Sequence, residues 1–244
     1  MNILIVTATE QEIAPFKKVM YDEGVDVTNK TKLIILFTYR RKNKLTGFKF
    51  KEHNIEILVT GPGMMNTSYH LSKILALKTY DLVLNVGIAG SFNQDLVLGQ
   101  VVNVTSDQYG DFGAEDGPDF ISAWDIPILA RSEYPYTGRI LKNTTSTSDY
   151  FDLISDLDEV SAITVNKAHG NSATIEVAKK MFSADVETME GLAFAHACKM
   201  DDIPFAQIRA ISNYVTLRDK STWQVKKAIT NLHDFLYAMF EEGN

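Results

Sequence analysis

The sequence predicts a three-layer α/β/α sandwich around a central mixed, largely parallel, twisted sheet. Three observations carry that prediction. Short β-branched runs recur at 2–8 (NILIVTA), 32–38 (KLIILFT), 55–61 (IEILVTG), 81–87 (DLVLNVG), 100–106 (QVVNVTS), 161–165 (SAITV) and 205–212 (FAQIRAIS). Several are apolar throughout, as strands covered on both faces are. Between them lie amphipathic stretches of helical period at 10–21, 65–78, 148–158, 174–182, 189–199 and 221–241, so strand and helix alternate.

The elements follow in chain order from local chemistry. The first strand runs into TATEQEIAPF, where Thr9 stands at an N-cap position and Glu12 three residues later completes the capping-box spacing. On spacing alone Glu12 is therefore a cap residue. TYRRKNKLTGFKF (38–50) reads as a hairpin with basic turn residues between alternating arms. GPGMMN (61–66) and GIAGSF (87–92) read as glycine turns that open helices. The segment 107–140 is rich in Asp, Gly and Pro without a clear period, which in a compact chain points to a functional loop. SADVE (183–187) is a short strand, TMEG (188–191) begins the next helix, and Ser221 or Thr222 caps the last one.

Composition limits the partners. With 244 residues and 45% apolar content, and no linker or charge block, one domain over 1–244 is expected. The net charge of −7, with basic residues scattered, leaves no electrostatic footprint for nucleic acid or an anionic membrane, so a small molecule is the expected partner. Met1 leads directly into a strand-length run without a signal-peptide pattern, and no apolar stretch approaches membrane-spanning length, so a soluble cytoplasmic protein is expected. The single cysteine, Cys198, lies in the helical pattern GLAFAHACKM and reads as core. The five histidines, at 53, 70, 169, 196 and 233, lack H-x-x-x-H or H-E-x-x-H pairing, so neither a metal nor another cofactor is expected.

In open α/β sheets ligands bind beyond the carboxyl ends of the strands. The residues that fall there are Glu10 and Glu12, the glycine turns with Gly61, Gly63, Gly87, Ala89 and Gly90, then Met189 and Glu190, and finally Ser212 and Asn213. Each has a plainer reading: the glycines as tight turns, Glu190 as an acid favoured by a helix macrodipole. The glycine turns match neither the P-loop, which needs Gly-Lys-Ser/Thr, nor the dinucleotide fingerprint, which needs a third glycine and a distant acid. No serine sits in a G-x-S-x-G elbow. Two carboxylates, an amide and glycine turns suit a ribosyl group: one carboxylate accepts from paired hydroxyls while the other takes a proton from water.

These residues resemble the nucleoside phosphorylase and nucleosidase superfamily. MNILIVTATEQEIAPF is similar to the nucleosidase N-terminus with its E-x-E turn. LNVGIAGSF with LGQVVNVTSDQY resembles the V-G-x-A-G and G-D-(I/V)-V segment, ADVETMEGLAFAHAC the ribose-binding helix start, and IRAISNYV the R-x-(I/V)-S-(D/N) strand exit. The resemblance spans about 1–240 in order and implies a homo-oligomer, a dimer or larger, acting on a purine nucleoside. It implies Glu12 as the base that activates water and Met189 with Glu190 as the ribose clamp.

Two departures narrow what the resemblance implies. Phosphorylases place a basic anchor for phosphate after the first strand, whereas TATEQE is acidic, which points to water as nucleophile. Nucleosidases acting on adenine nucleosides carry Asp in the S-D pair, whereas Asn213 stands here; an amide N–H can donate to a 6-oxo group or to N7, which an ionised carboxylate cannot do. Within the superfamily, ISN, VETMEG and RDKSTW (218–223) resemble the futalosine hydrolase subgroup, which also has a long loop similar to YGDFGAED (109–116). That resemblance implies hydrolysis of futalosine to hypoxanthine and dehypoxanthine futalosine in menaquinone biosynthesis. Methylthioadenosine/S-adenosylhomocysteine nucleosidase and purine nucleoside phosphorylase are the alternatives. The 5′ extension of futalosine needs an apolar, partly cationic slot, for which Phe112, Arg218 and Trp223 are the candidates; Trp223 reads equally as a helix-packing residue. The stretch 169–174 (HGNSAT) is a candidate for stacking on the base.

Overall fold

Residues Ile3, Leu4, Ile5 and Val6 of β1 (Asn2–Thr7) are all fully buried, so this strand has a helical layer against each face. Ile3 and Ile5 pack with one cluster and Leu4 and Val6 with another, as the two-residue period of a strand requires. The first cluster includes side chains of α1 (Glu10–Glu23) and α6 (Val225–Glu242); the second includes those of α2 (Met64–Leu75) and α5 (Gly191–Met200). This computed structural model describes residues 1–26, 44–117, 119–126, 129–130, 132–145 and 149–242.

The remaining strands are β2 (Val25–Asp26), β3 (Leu45–Phe50), β4 (His53–Val59), β5 (Leu82–Ser91), β6 (Val101–Tyr109), β7 (Gly113–Asp116), β8 (Asp119–Ser122), β9 (Leu141–Lys142), β10 (Glu159–Thr164), β11 (Val186–Thr188) and β12 (Phe205–Tyr214). The remaining helices are α3 (Asp152–Ser155) and α4 (Ser172–Phe182). The sheet order is β11-β10-β6-β12-β5-β1-β4-β3-β2, with β9 on β6. It is mixed: β1 lies parallel to β4 and β5, β12 parallel to β5, and β10 parallel to β6 and β11. Antiparallel pairings join β12 to β6 and β11 back to β5. That last pairing curls five strands, β5, β12, β6, β10 and β11, into a closed ring.

Several expectations need correction. GIAGSF does not open a helix, because β5 runs on through Gly87, Ala89 and Gly90 to Ser91 and finds partners on both sides. The segment 107–140 is not one long loop: β6 extends to Tyr109, and β7 and β8 pair as a two-stranded sheet. The helix expected over 148–158 is the single turn α3. The last helix begins at Val225, after a separate 3₁₀ turn, Lys220–Thr222, capped by Asp219 Oδ1 accepting from Ser221 N–H at 2.9 Å rather than by Ser221 or Thr222. The strand expected at 32–38 and the basic turn after it fall outside the described residues, and the arm at 45–50 pairs antiparallel with β4. Cys198 is fully buried and burial pushes its thiol up, as expected of a core residue.

Candidate active site

A cavity of about 380 Å³ opens at the carboxyl ends of β1, β5, β11 and β12. Its walls include Glu12, Ala89, Gly90, Met189, Glu190, Ser212, Asn213, Arg218 and Trp223, which are nine of the residues singled out in the sequence. The volume lies in the range of small-molecule pockets, roughly 300–1,000 Å³.

Glu12 is both cap and cavity wall. Its Oε2 accepts from the Thr9 backbone N–H at 2.9 Å and from the Thr9 hydroxyl at 2.9 Å, while its own N–H donates to Thr9 Oγ1, which closes the capping box of α1. Its Oε1 accepts from Ile88 N–H at 3.3 Å, at the start of the β5 segment that lines the cavity. The cap fixes the carboxylate at the rim; one reading does not displace the other.

Glu190 stands at the N-cap of α5 yet makes no side-chain cap there. Its Oε1 instead accepts from Gly63 N–H at 2.8 Å, the last residue of the GPG turn and the N-cap of α2. Gly61 and Gly63 both have positive φ, 95° and 91°, which is the backbone reason for glycine in that turn. Neither lines the cavity directly; Gly63 holds the Glu190 carboxylate in it. Burial pushes the Glu190 carboxyl up, opposed by the Arg209 guanidinium and the Gly63 N–H.

Arg209 was not picked out from the sequence as a site residue. It is fully buried in β12 beneath the cavity, donates from Nη2 to Gln207 Oε1 at 3.0 Å and to Asn85 Oδ1, and is held charged by Glu190, Glu12 and Asp107 against the cost of burial. A Cβ on Gly87 would lie 2.6 Å from Arg209 Nη1 and 2.8 Å from Glu12 Oε1, so glycine is required where the guanidinium and the carboxylate meet. Gly87 thus acts behind the cavity wall and not on it. The signal was in the sequence: an arginine inside an otherwise apolar strand must have buried partners.

The strand exit of β12 is shaped by a bulge. Ile211 pairs with Ala89 and Asn213 with Gly90, leaving Ser212 as the extra residue. The Ser212 hydroxyl lies 3.1 Å from Ala89 O and 2.7 Å from Asn213 Oδ1, and Asn213 Nδ2 donates to Tyr214 O at 3.1 Å. Ser212, 2% exposed, therefore orients the amide, and one Nδ2 proton is left for a ligand.

Arg218 stacks over the Trp223 ring, its guanidinium carbon 5.1 Å from the centroid, at the end of the cavity lined by Val225 and Ile229 of α6. Phe112 stands apart: it is 43% exposed, packs on Tyr109 at 5.1 Å between ring centroids, and is not part of the wall. From the HGNSAT stretch only His169 lines the cavity. Asn171 is spent as the N-cap of α4. Beside His169 lies Glu187, a second residue not foreseen, whose Oε2 is 2.7 Å from His169 Nδ1 and whose Oε1 accepts from His169 N–H at 3.1 Å. Glu187 reaches the site because β11 pairs back onto β5, which the local sequence does not disclose.

Comparison with known proteins follows the same outline. The family model of the Phosphorylase superfamily matches residues 2–241. Futalosine hydrolase of Thermus thermophilus is 29% identical over 192 residues, 78% of this chain and 79% of that protein. The 5′-methylthioadenosine/S-adenosylhomocysteine nucleosidase of Bacillus thuringiensis is 26% identical over 226 residues, 87% of this chain and 86% of that protein. Among solved structures, a futalosine hydrolase mutant of Helicobacter pylori superposes with a TM-score of 0.76 at 18% identity, covering 99% of both chains, which shows the shared fold.

Proposed function

The chain belongs to the phosphorylase superfamily, and from that premise we propose that it hydrolyses the N-glycosidic bond of futalosine, releasing hypoxanthine and dehypoxanthine futalosine. The observation that carries this reading is the convergence of the Glu12 and Glu190 carboxylates and the Asn213 amide on one cavity of about 380 Å³.

In this mechanism Glu12 takes the proton of a water that attacks C1′, a role that contributes roughly 10² to 10⁴ in rate when the base is well placed. Glu190 accepts from the ribose hydroxyls, with Met189 beside it. Bond cleavage passes through an oxocarbenium-like transition state, which carboxylates near the sugar stabilise. Asn213, oriented by Ser212, donates its free N–H to the 6-oxopurine. Arg218 and Trp223 offer a cation on an apolar ring, chemistry that fits the carboxyphenyl extension of the 5′ group. The acidic turn after β1, with Glu10 and Glu12 in the first turn of α1, favours water over phosphate as nucleophile.

Methylthioadenosine/S-adenosylhomocysteine nucleosidase is the second reading, favoured by the Bacillus relative's coverage of 87% of this chain. Incubating the purified protein with futalosine, inosine and methylthioadenosine, with and without phosphate, and identifying the base released decides between them. Hypoxanthine from futalosine without phosphate is expected. Adenine from methylthioadenosine at a higher kcat/KM would replace the proposal with the second reading.

A further inference from the structure

Asn213 can hold the departing purine but has no proton to give it, because an amide N–H does not ionise in the physiological range. The purine nevertheless gains a pair of electrons as its bond to C1′ breaks. The titratable side chains on the cavity wall are Glu12, His169, Glu187, Glu190 and Arg218. Glu12 and Glu190 lie on the sugar side, and an arginine does not deprotonate. His169 and Glu187 remain.

Their placement is set by the ring of strands. Gly90 pairs with Asn213 on one side and with Glu187 on the other, so the three share one rung across β12, β5 and β11. A Cβ on Gly90 would lie 3.2 Å from Asn213 Nδ2 and 3.5 Å from Glu187 Cγ. The bare glycine therefore leaves a floor with the amide and the His–Glu pair as neighbours at one edge. Glu187 accepts the Nδ1 proton of His169, which fixes the ring and leaves Nε2 as the atom that carries the exchangeable proton. Nε2 makes no hydrogen bond among the described residues, and the ring is steadied edge-on by Phe92 at 6.0 Å.

Resting on the nucleosidase reading above, we propose that His169, positioned by Glu187, is the general acid that protonates the leaving 6-oxopurine. A 6-oxopurine presents two adjacent acceptors on one edge, O6 and N7, and the site presents two adjacent donors: Asn213 Nδ2 binds O6 and His169 Nε2 binds N7. As the C1′–N9 bond breaks, its electron pair moves into the purine and the Nε2 proton of the His169 imidazolium passes to N7, leaving a neutral imidazole whose Nδ1–H still donates to Glu187. Water forms the new C1′–O bond and loses its proton to Glu12. Imidazole and the Glu12 carboxyl then return to their starting states by exchange with solvent, so one water is consumed and nothing is oxidised.

The charged groups facing His169 are Glu187 on β11, Arg218 after β12 and, through the larger neighbouring cavity, Lys167, Asp111, Glu115 and Asp119. The test is the pH profile of kcat on futalosine for the wild-type protein, H169Q and E187Q. For H169Q we expect kcat to fall by about 10² to 10³, KM to stay within about threefold, and the alkaline limb of the profile to vanish. E187Q keeps a hydrogen-bond acceptor but loses the charge; its kcat falls about tenfold and the alkaline limb moves to lower pH, which a merely structural role would not produce. An H169Q enzyme within threefold of wild-type kcat, or either variant retaining the wild-type alkaline limb, overturns the assignment. A wild-type protein that releases no hypoxanthine from futalosine overturns instead the function on which the assignment rests.

Discussion

Two cavities meet at His169, and they differ in what their walls hold. The larger, about 580 Å³, lies between the β7–β8 hairpin, the loop 166–170 and α4; its acids, Asp111, Glu115 and Asp119, come from the segment 111–119 near the surface. Asp111 there is occupied with backbone, accepting from Asn166 and Lys167 N–H at 2.6 and 3.2 Å. The smaller, about 380 Å³, takes its three carboxylates from two strand ends, Glu12 after β1 and Glu187 with Glu190 at the end of β11, and sets them over a buried arginine. Size does not locate the chemistry. What does is the burial of several charged groups beside one another, because burial strengthens every charge–charge and charge–dipole interaction at such a place.

Variants that separate the two cavities should rank in a definite order. E12Q removes the proposed base while leaving an acceptor for the Thr9 cap, so kcat for hypoxanthine release is expected to fall by roughly 10² to 10⁴ with the fold retained by circular dichroism; turnover near wild type would remove Glu12 from the mechanism. N213D replaces the amide donor with an acceptor and is expected to lower kcat/KM for futalosine by about 10² relative to methylthioadenosine, measured in a two-substrate competition.

Beneath the small cavity, Asp107 tests whether the buried polar floor is tuned by desolvation. Burial pushes its carboxyl from 3.8 to about 6, against hydrogen bonds from Gln207 and Thr164. Between those values the folded chain holds a proton that the unfolded chain has lost, so stability falls as pH rises through that window, by about 3 kcal/mol in total. D107N should flatten this dependence in urea melts across the same pH range; an unchanged slope would assign it to other groups.

If Arg218 meets only the 5′ extension, as proposed, R218A should raise KM for futalosine about five- to tenfold and leave inosine unaffected. E115Q, in the larger cavity, should change kcat and KM by less than about twofold. A larger effect there would mean that the substrate occupies both cavities.

The legible part of the site lay where local rules act alone. Thr9 and Glu12 showed their capping box in four residues, and the capping box is what fixes the carboxylate. Gly61 and Gly63 announced a turn, and Met189, Glu190 and Asn213 followed strand ends that the apolar runs located within a few residues. What escaped was long-range. Glu187 stood in plain sight one residue before Thr188, but only the antiparallel return of β11 to β5 turns it toward Asn213. Phe112 looked aromatic and well placed in a loop, yet the β7–β8 pairing carries it outside the wall. GIAGSF resembled a helix opening because glycine serves turns and close strand contacts equally, and only the partners across the sheet distinguish them.

The sequence by itself determined the alternation of strand and helix, the burial of β1 on both faces, the cap that seats Glu12 and the choice of an amide at 213, because propensity, periodicity and side-chain chemistry act over a few residues. Tertiary structure alone decided that the sheet would close on itself through β11, that Arg209 would sit between two glutamates behind Gly87, and that a histidine, a glutamate and an asparagine would share one edge over Gly90. Those outcomes depend on which strands pair and in which register, and pairing is settled by the joint burial of distant segments, which short stretches of chain do not encode.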